Sequence, residues 1–308
     1  MQLTKLTMLG YISKVFLLAP FFIFGNFQDS IQIIDLENVV VKSTRINTTQ
    51  KQAPLSVTLK SFIEDRNFSS QSSFSDFIKN TPGVFTTSSN NFSQDMRISI
   101  RGFGARSAFG IRGIKLIVDG IPETTPDGKG QLDNLPLGLL KSFEVLRGPS
   151  ASLYGNASGG VIYLNTLDKL KDQKANFKTS LGAYGFQNYQ LSTSLDNGKT
   201  VALIYANRIK SDGYRINSGF EQNLFNVKVN QLITANSTIQ LQLNYTNSPI
   251  AEDSGGLTLE DTESSFSQAR QRNLDYDTYE SIDHFKTGIR WLQSWGSRWG
   301  LDLSLIHI

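Results

Sequence analysis

From Lys174 onward the chain alternates apolar and polar residues with a period of two, in segments of roughly ten residues. Ile239, Leu241, Leu243 and Tyr245 share one face of such a segment, and Gln240, Gln242 and Asn244 the other. Phe177/Thr179/Leu181, Tyr189/Leu191/Thr193/Leu195, Val201/Leu203/Tyr205, Phe225/Val227/Val229, Phe285/Thr287/Ile289/Trp291 and Trp299/Leu301/Leu303 repeat the theme. Apolar faces ending in aromatics, backed by polar faces, suit strands with lipid outside and a polar lumen inside. Asp196-Asn197-Gly198-Lys199 and Thr234-Ala235-Asn236-Ser237 read as tight turns. The linkers 210–222 and 247–283 are longer, and the second, which is acidic, is expected to be structureless. Short and long connections thus alternate, as on the two sides of a membrane barrel. A soluble β-sandwich would also alternate, but the N-terminus described below argues against it.

The preceding zone has a different rhythm. Phe74, Phe77 and Ile78 fall at i, i+3 and i+4, which predicts a short amphipathic helix over 73–80, stopped by Thr81-Pro82-Gly83. Residues 96–101, 115–119, 143–147 and 159–165 predict strands, the second ended by the Asp119-Gly120 turn, and 135–140 a helical turn. Gly-, Ser- and Asn-rich loops separate these elements. Further upstream, Val39, Val40 and Val41 form a short extended run flanked by charge. Such a run cannot build a core alone; it is suited to pairing with the sheet edge of another protein, or to serving as the first strand of the next domain.

Composition narrows the possibilities. Net charge is +3 with no Lys/Arg-rich run, so nucleic acid is not an expected partner. There is no cysteine and only two histidines, His284 and His307, which removes thiolate chemistry and makes a His-based metal site or triad improbable. No metal, cofactor or catalytic residue is assigned, and an enzyme is not expected. Lys5 and Lys14 precede an apolar core from Val15 to Phe24, the form of an export signal and short for a membrane span. These readings divide the chain into a signal peptide (1–27), an N-terminal segment (28–52), a compact domain (53–166) and a strand-rich region (167–308).

Four stretches resemble one family in its order and spacing. They are Phe77-Ile78-Lys79-Asn80-Thr81-Pro82-Gly83-Val84, Ile100-Arg101-Gly102-Phe103-Gly104, Leu116-Ile117-Val118-Asp119-Gly120-Ile121-Pro122, and residues 143–162, beginning Phe143-Glu144-Val145-Leu146-Arg147-Gly148-Pro149. Together they look like the plug of TonB-dependent outer-membrane receptors. The resemblance implies an α+β plug domain followed by antiparallel transmembrane β-barrel strands, with the barrel incomplete in a chain of this length. Residues 303–308 read like a translated adaptor sequence and receive no functional weight.

The resemblance also implies roles. Leu36, Glu37, Asn38, Val39, Val40, Val41 and Lys42 would form the TonB box, taken as an added strand by TonB of the inner-membrane energising complex. Arg101, Glu144 and Arg147 would anchor the plug against the barrel wall, the arginines against wall carboxylates, with an internal plug salt bridge as the alternative for the arginines. Asn90, Asn91, Gln94, Arg106, Phe109, Arg112, Thr125, Asp127 and Lys129 lie in loops expected at the outer apex, against a small-molecule ligand. Arg106, Arg112 and Lys129 would suit an anionic chelate, and Phe109 a flat ring. The expected function is uptake of a bulky scarce nutrient across the outer membrane of a Gram-negative bacterium, with outer-membrane lipid around the barrel. A ferric siderophore or similar iron chelate leads. A cofactor such as pyrroloquinoline quinone or cobalamin is the alternative, and a non-transporting adhesion protein is the reading from a different class.

Overall fold

The computed structural model describes residues 40–44, 48–49, 52–62, 70–87, 91–171 and 174–307. The export signal, Leu36, Glu37, Asn38, Val39 and Asn90 lie outside the described residues.

The chain enters through a small antiparallel ribbon of β1 (Val40–Val41) and β2 (Thr48–Thr49). Next come β3 (Ser56–Ser61), the helix α1 (Ser75–Ile78) and the antiparallel pair β4 (Val84–Thr86) and β5 (Ile98–Ile100). Then follow β6 (Ile111–Arg112), β7 (Ile114–Val118), β8 (Ile121–Pro122) and β9 (Lys129–Gly130). A 3-10 turn at Leu137–Leu139 leads into β10 (Leu140–Arg147), α2 (Ala151–Tyr154) and β11 (Gly160–Thr166). Five of these strands make one mixed sheet in the order β3-β10-β11-β7-β8, in which only β7 and β11 run parallel.

Strand alternation gives this sheet two unlike faces. Phe143, Val145, Ile162, Leu164, Leu116 and Val118 face the larger core, with Phe74, Phe77 and Ile78 of α1 and with Ile98 and Ile100. Phe74 meets Phe143 edge-on at 5.7 Å between ring centres. The opposite face carries Val57, Ile117, Leu146, Val161 and Tyr163, and is closed by Val41, Tyr154 and Ala157. Helix α1 is shorter than its periodicity predicts, because Asn80 and Gly83 take positive φ and turn the chain into β4.

The remaining strands are β12 (Ala175–Leu181), β13 (Gln187–Asp196), β14 (Thr200–Ser211), β15 (Phe220–Thr234) and β16 (Ser237–Glu252). After α3 (Leu259–Ser264) and α4 (Gln271–Asp275) come β17 (Tyr279–Trp295) and β18 (Trp299–His307). All seven pair antiparallel in sequence order, as an open sheet with β12 and β18 at its edges. On the exposed apolar face, register aligns Phe225 with Tyr245 and Tyr245 with Phe285, and Trp295 with Trp299.

Two expectations are corrected. The stretch 247–283 is not structureless: β16 runs to Glu252, β17 begins at Tyr279, and α3 opens on a capping box between Thr258 and Asp261. Leu203 and Tyr205 do not face outward. Both are buried and pack with Leu139 and Leu224, while Ile204 takes the exposed face. Val201-Ala202-Leu203-Ile204-Tyr205-Ala206 is apolar on both faces, so alternation alone could not orient it.

Candidate functional site

Three regions bear on function: the N-terminal strap, the seam between domain and wall, and the loops at the long-loop end. The strap comes first in the chain. Val41 is fully buried on the smaller sheet face. Just beyond it the Glu144 carboxylate accepts the Lys42 backbone N–H at 3.1 and 3.0 Å and the Ser43 N–H at 2.8 Å. The Tyr154 hydroxyl donates to the Ser43 carbonyl at 2.8 Å. Glu144 was expected to anchor the wall. Its position on the strap-facing side of β10, 1 % exposed, gives it to the strap instead.

Of the two readings for the arginines, the described contacts of Arg147 follow the one internal to the plug, with neutral acceptors in place of a salt bridge. The Arg147 guanidinium donates to Ser56 Oγ at 3.1 and 3.0 Å, Thr58 Oγ1 at 2.6 Å and the Pro82 carbonyl at 3.1 Å. All three partners belong to the same compact domain, where β3 lies directly beside β10. Arg101 takes a positive φ of 51° and its side chain lies alongside that of Arg147 over Gly83. Burial, and then the Arg101 charge, hold Arg147 below the usual arginine pKa.

The seam to the wall is built with the opposite polarity: carboxylates on the compact domain and cations on the strands. Asp119 accepts Thr166 N at 2.8 Å and Thr166 Oγ1 at 2.5 Å, then Gln242 Nε2 at 3.1 Å and Lys228 Nζ at 3.1 Å. Lys228 also reaches Asp168 at 2.7 Å. The Lys286 ammonium pairs with Glu123, both side chains 8 % exposed. Arg290 donates to the Asp119 carbonyl at 2.9 Å and pairs with Asp302 at 2.7 Å. Gly120 is required here: its φ is +86°, and a Cβ would collide with the Arg290 guanidinium. Burial alone would raise Asp168, but the Lys228 charge and hydrogen bond hold it below the usual carboxylate range. Burial pushes the Tyr163 phenol up to about 12, so it stays neutral.

A polar cavity of about 220 Å³ lies within this seam, lined among others by Lys42, Asp119, Glu144, Asn165, Lys228 and Arg290. Strap and wall contacts therefore share one space. Sequence reasoning missed Asp119, Glu123, Lys228, Lys286 and Arg290 as a group. The available signal was parity: Lys228, Lys286 and Arg290 occupy positions on the polar face of alternating strands.

At the long-loop end, Asn91 donates to Asp253 at 3.4 Å and Phe92 stacks on Phe220 at 4.0 Å between ring centres. Lys129 pairs with Asp95 at 3.0 Å, and Arg112 with Asp127 at 3.2 Å. Thr125 bonds both Asp127 and the Lys129 carbonyl. The Thr125 hydroxyl, the Lys129 backbone N–H and Arg112 together hold the Asp127 carboxyl low. Thr125, Asp127, Lys129 and Arg112 are thus brought together, but two of the three expected free cations are neutralised. Arg106, Phe109 and Gln94 are exposed on their loops and do not join that group. Asp95 and Phe92 are apical residues that sequence reasoning did not select.

A mixed domain seated against an antiparallel sheet, with lipid-type residues outside and ion pairs inside, defines a plugged membrane barrel as the class of protein. Residues 49–161 match the model of the TonB-dependent Receptor Plug Domain. The chain is 28% identical over 187 residues to the vitamin B12 transporter BtuB of Vibrio vulnificus (strain YJ016), covering 59% of this chain and 29% of that protein. It is 32% identical over 165 residues to a hemin receptor of Yersinia enterocolitica, covering 51% of this chain and 23% of that one. The unliganded ferric citrate transporter FecA superposes with a TM-score of 0.62 at 19% identity, covering 78% of this chain and 37% of that one. The plug-domain match and both curated relatives thus point to one family, and the chain spans less than a third of the length of either relative.

Proposed function

We propose that this chain is the front portion of an outer-membrane receptor for TonB-driven uptake of a bulky nutrient. The observation that carries the reading is the docked strap. An extended segment lies against a plug one edge of which is ion-paired to the barrel wall. A strand-shaped N-terminus beside a plug is what a partner needs to apply force, since strand addition works through main-chain hydrogen bonds. The partner is TonB, and the receptor acts without covalent chemistry. A ferric siderophore or similar iron chelate is our leading ligand class. Cobalamin is the second reading, and similarity to a vitamin B12 transporter supports it.

The test uses the whole receptor in a receptor-deficient host. Uptake of radiolabelled ferric siderophores, haem and cobalamin is measured beside a Val40→Pro variant, which removes a strand donor. Saturable uptake of one ligand that disappears in the variant, while binding persists, is expected. Binding without any uptake in the wild type would favour an adhesion role and end the transport reading.

A further inference from the structure

The strap is held in a way that competes with strand addition. β1 already spends one edge on β2, through Val40 with Thr49 and Val41 with Thr48. The next two backbone N–H groups, of Lys42 and Ser43, both point at one carboxylate, Glu144. The Ser43 carbonyl is taken by Tyr154. An N–H bound to an ionised acceptor is held about twice as strongly as one bound to a neutral carbonyl. Glu144 lies at the middle of β10, between β3 and β11, and makes no ion pair among the described residues. Among the described residues its carboxylate accepts from backbone N–H groups, so it is poised to grip a main chain. Lys42 meanwhile donates its ammonium to Asn165 at 3.3 Å within the seam cavity.

We propose that Glu144, assisted by Tyr154, is an autoinhibitory latch on the coupling strap, which a partner strand must open before it can pair beyond Val41. The latch rests on the TonB reading for its partner, but not for its own detection. It sets the C-terminal limit of the partner-accessible strand at Val41, one residue short of the box read from the sequence. It also ties opening to withdrawal of Lys42 from the cavity that holds the Asp119–Lys228 pair.

This chain has no cysteine, so a single labelling site can be introduced into it once any cysteine in the rest of the receptor has been replaced by serine. Ser43 is fully buried and its hydroxyl has no partner, so Ser43→Cys is a near-isosteric reporter. In whole receptor in outer-membrane vesicles, the rate of maleimide labelling at this position reads strap release. Binding of the purified periplasmic domain of TonB is measured on the same samples. Glu144→Gln, which removes the charge and adds a misplaced donor, should raise the labelling rate about tenfold or more. TonB binding should tighten by a similar factor. Tyr154→Phe, which keeps the ring, should give a rise of a few-fold, and it carries the test if the Gln variant fails to insert. Wild-type labelling rates in an inserted Gln variant, or in Tyr154→Phe alone where only that one inserts, would overturn the latch. Wild-type receptor that never binds TonB would sink the uptake reading, while the labelling rates would still decide the latch.

Discussion

The two edges of the plug sheet are held by different means. At one edge, β3 pairs only with β10, and its polar side chains are satisfied inside the plug: Ser56 and Thr58 by Arg147, and Lys60 by the Lys79 carbonyl. At the other, the turn between β7 and β8 is fixed to the wall through Asp119, and Glu123 just beyond β8 is fixed through Lys286. One edge is therefore held by local hydrogen bonds within the plug, and the other by buried ion pairs to the wall. Removing one partner of a buried pair strands the other charge, whereas a hydrogen bond lost near solvent is partly replaced by water.

This contrast can be tested at both edges. Lys228→Met should have the largest effect, because it removes the cation from between Asp119 and Asp168. A loss of about 3–5 kcal/mol of plug stability is expected, read from the denaturant midpoint of the solubilised receptor. If that variant is no less stable, the ion-paired edge is not the strong one. Lys286→Met should cost a comparable amount, but combined with Glu123→Leu most of the loss should return, since paired apolar replacement is often close to neutral. Non-recovery in the double variant would mean that Glu123 serves something besides Lys286. Arg147→Lys should cost about 1–3 kcal/mol by losing the fork to Ser56, Thr58 and Pro82. Hydrogen exchange should then quicken in 56–61 and stay unchanged in 114–122; equal quickening in both segments would contradict separate edges. The smallest effect is pH-dependent. Asp168 has a depressed pKa when folded, so its contribution is present above the unfolded value of about 3.9 and is lost as pH falls through the folded one. Asp168→Asn should abolish that acid-side loss by removing, already at neutral pH, the same small contribution. A neutral-pH loss as large as that of Lys228→Met would show that Asp168, not Asp119, is the main wall partner.

Much of this fold was legible in the sequence. Long alternating segments and the Arg-Gly and Asp-Gly motifs placed most strands and the plug-then-barrel order. What escaped was of two kinds. β2, β6, β8 and β9 are two-residue strands, too short for any periodicity to register. The orientation of β14 escaped because both of its faces are apolar where Leu139 packs on Leu203. At the site, residue type suggested that arginines would seek the wall. In the described residues Arg147 is taken up by β3 and Glu144 by the strap that its strand face meets. Those are consequences of strand adjacency, which no local pattern encodes.

The seam has a consequence for inheritance. Asp119 and Glu123 lie in the first half of the chain, and Lys228 and Lys286 more than a hundred residues later. A recombination event that exchanged this plug for one from another receptor would join carboxylates to a wall that had not acquired the matching cations. Plug and barrel of this receptor should therefore descend together, and a chimera should regain a tight seam only when the positions equivalent to Lys228 and Lys286 travel with the plug.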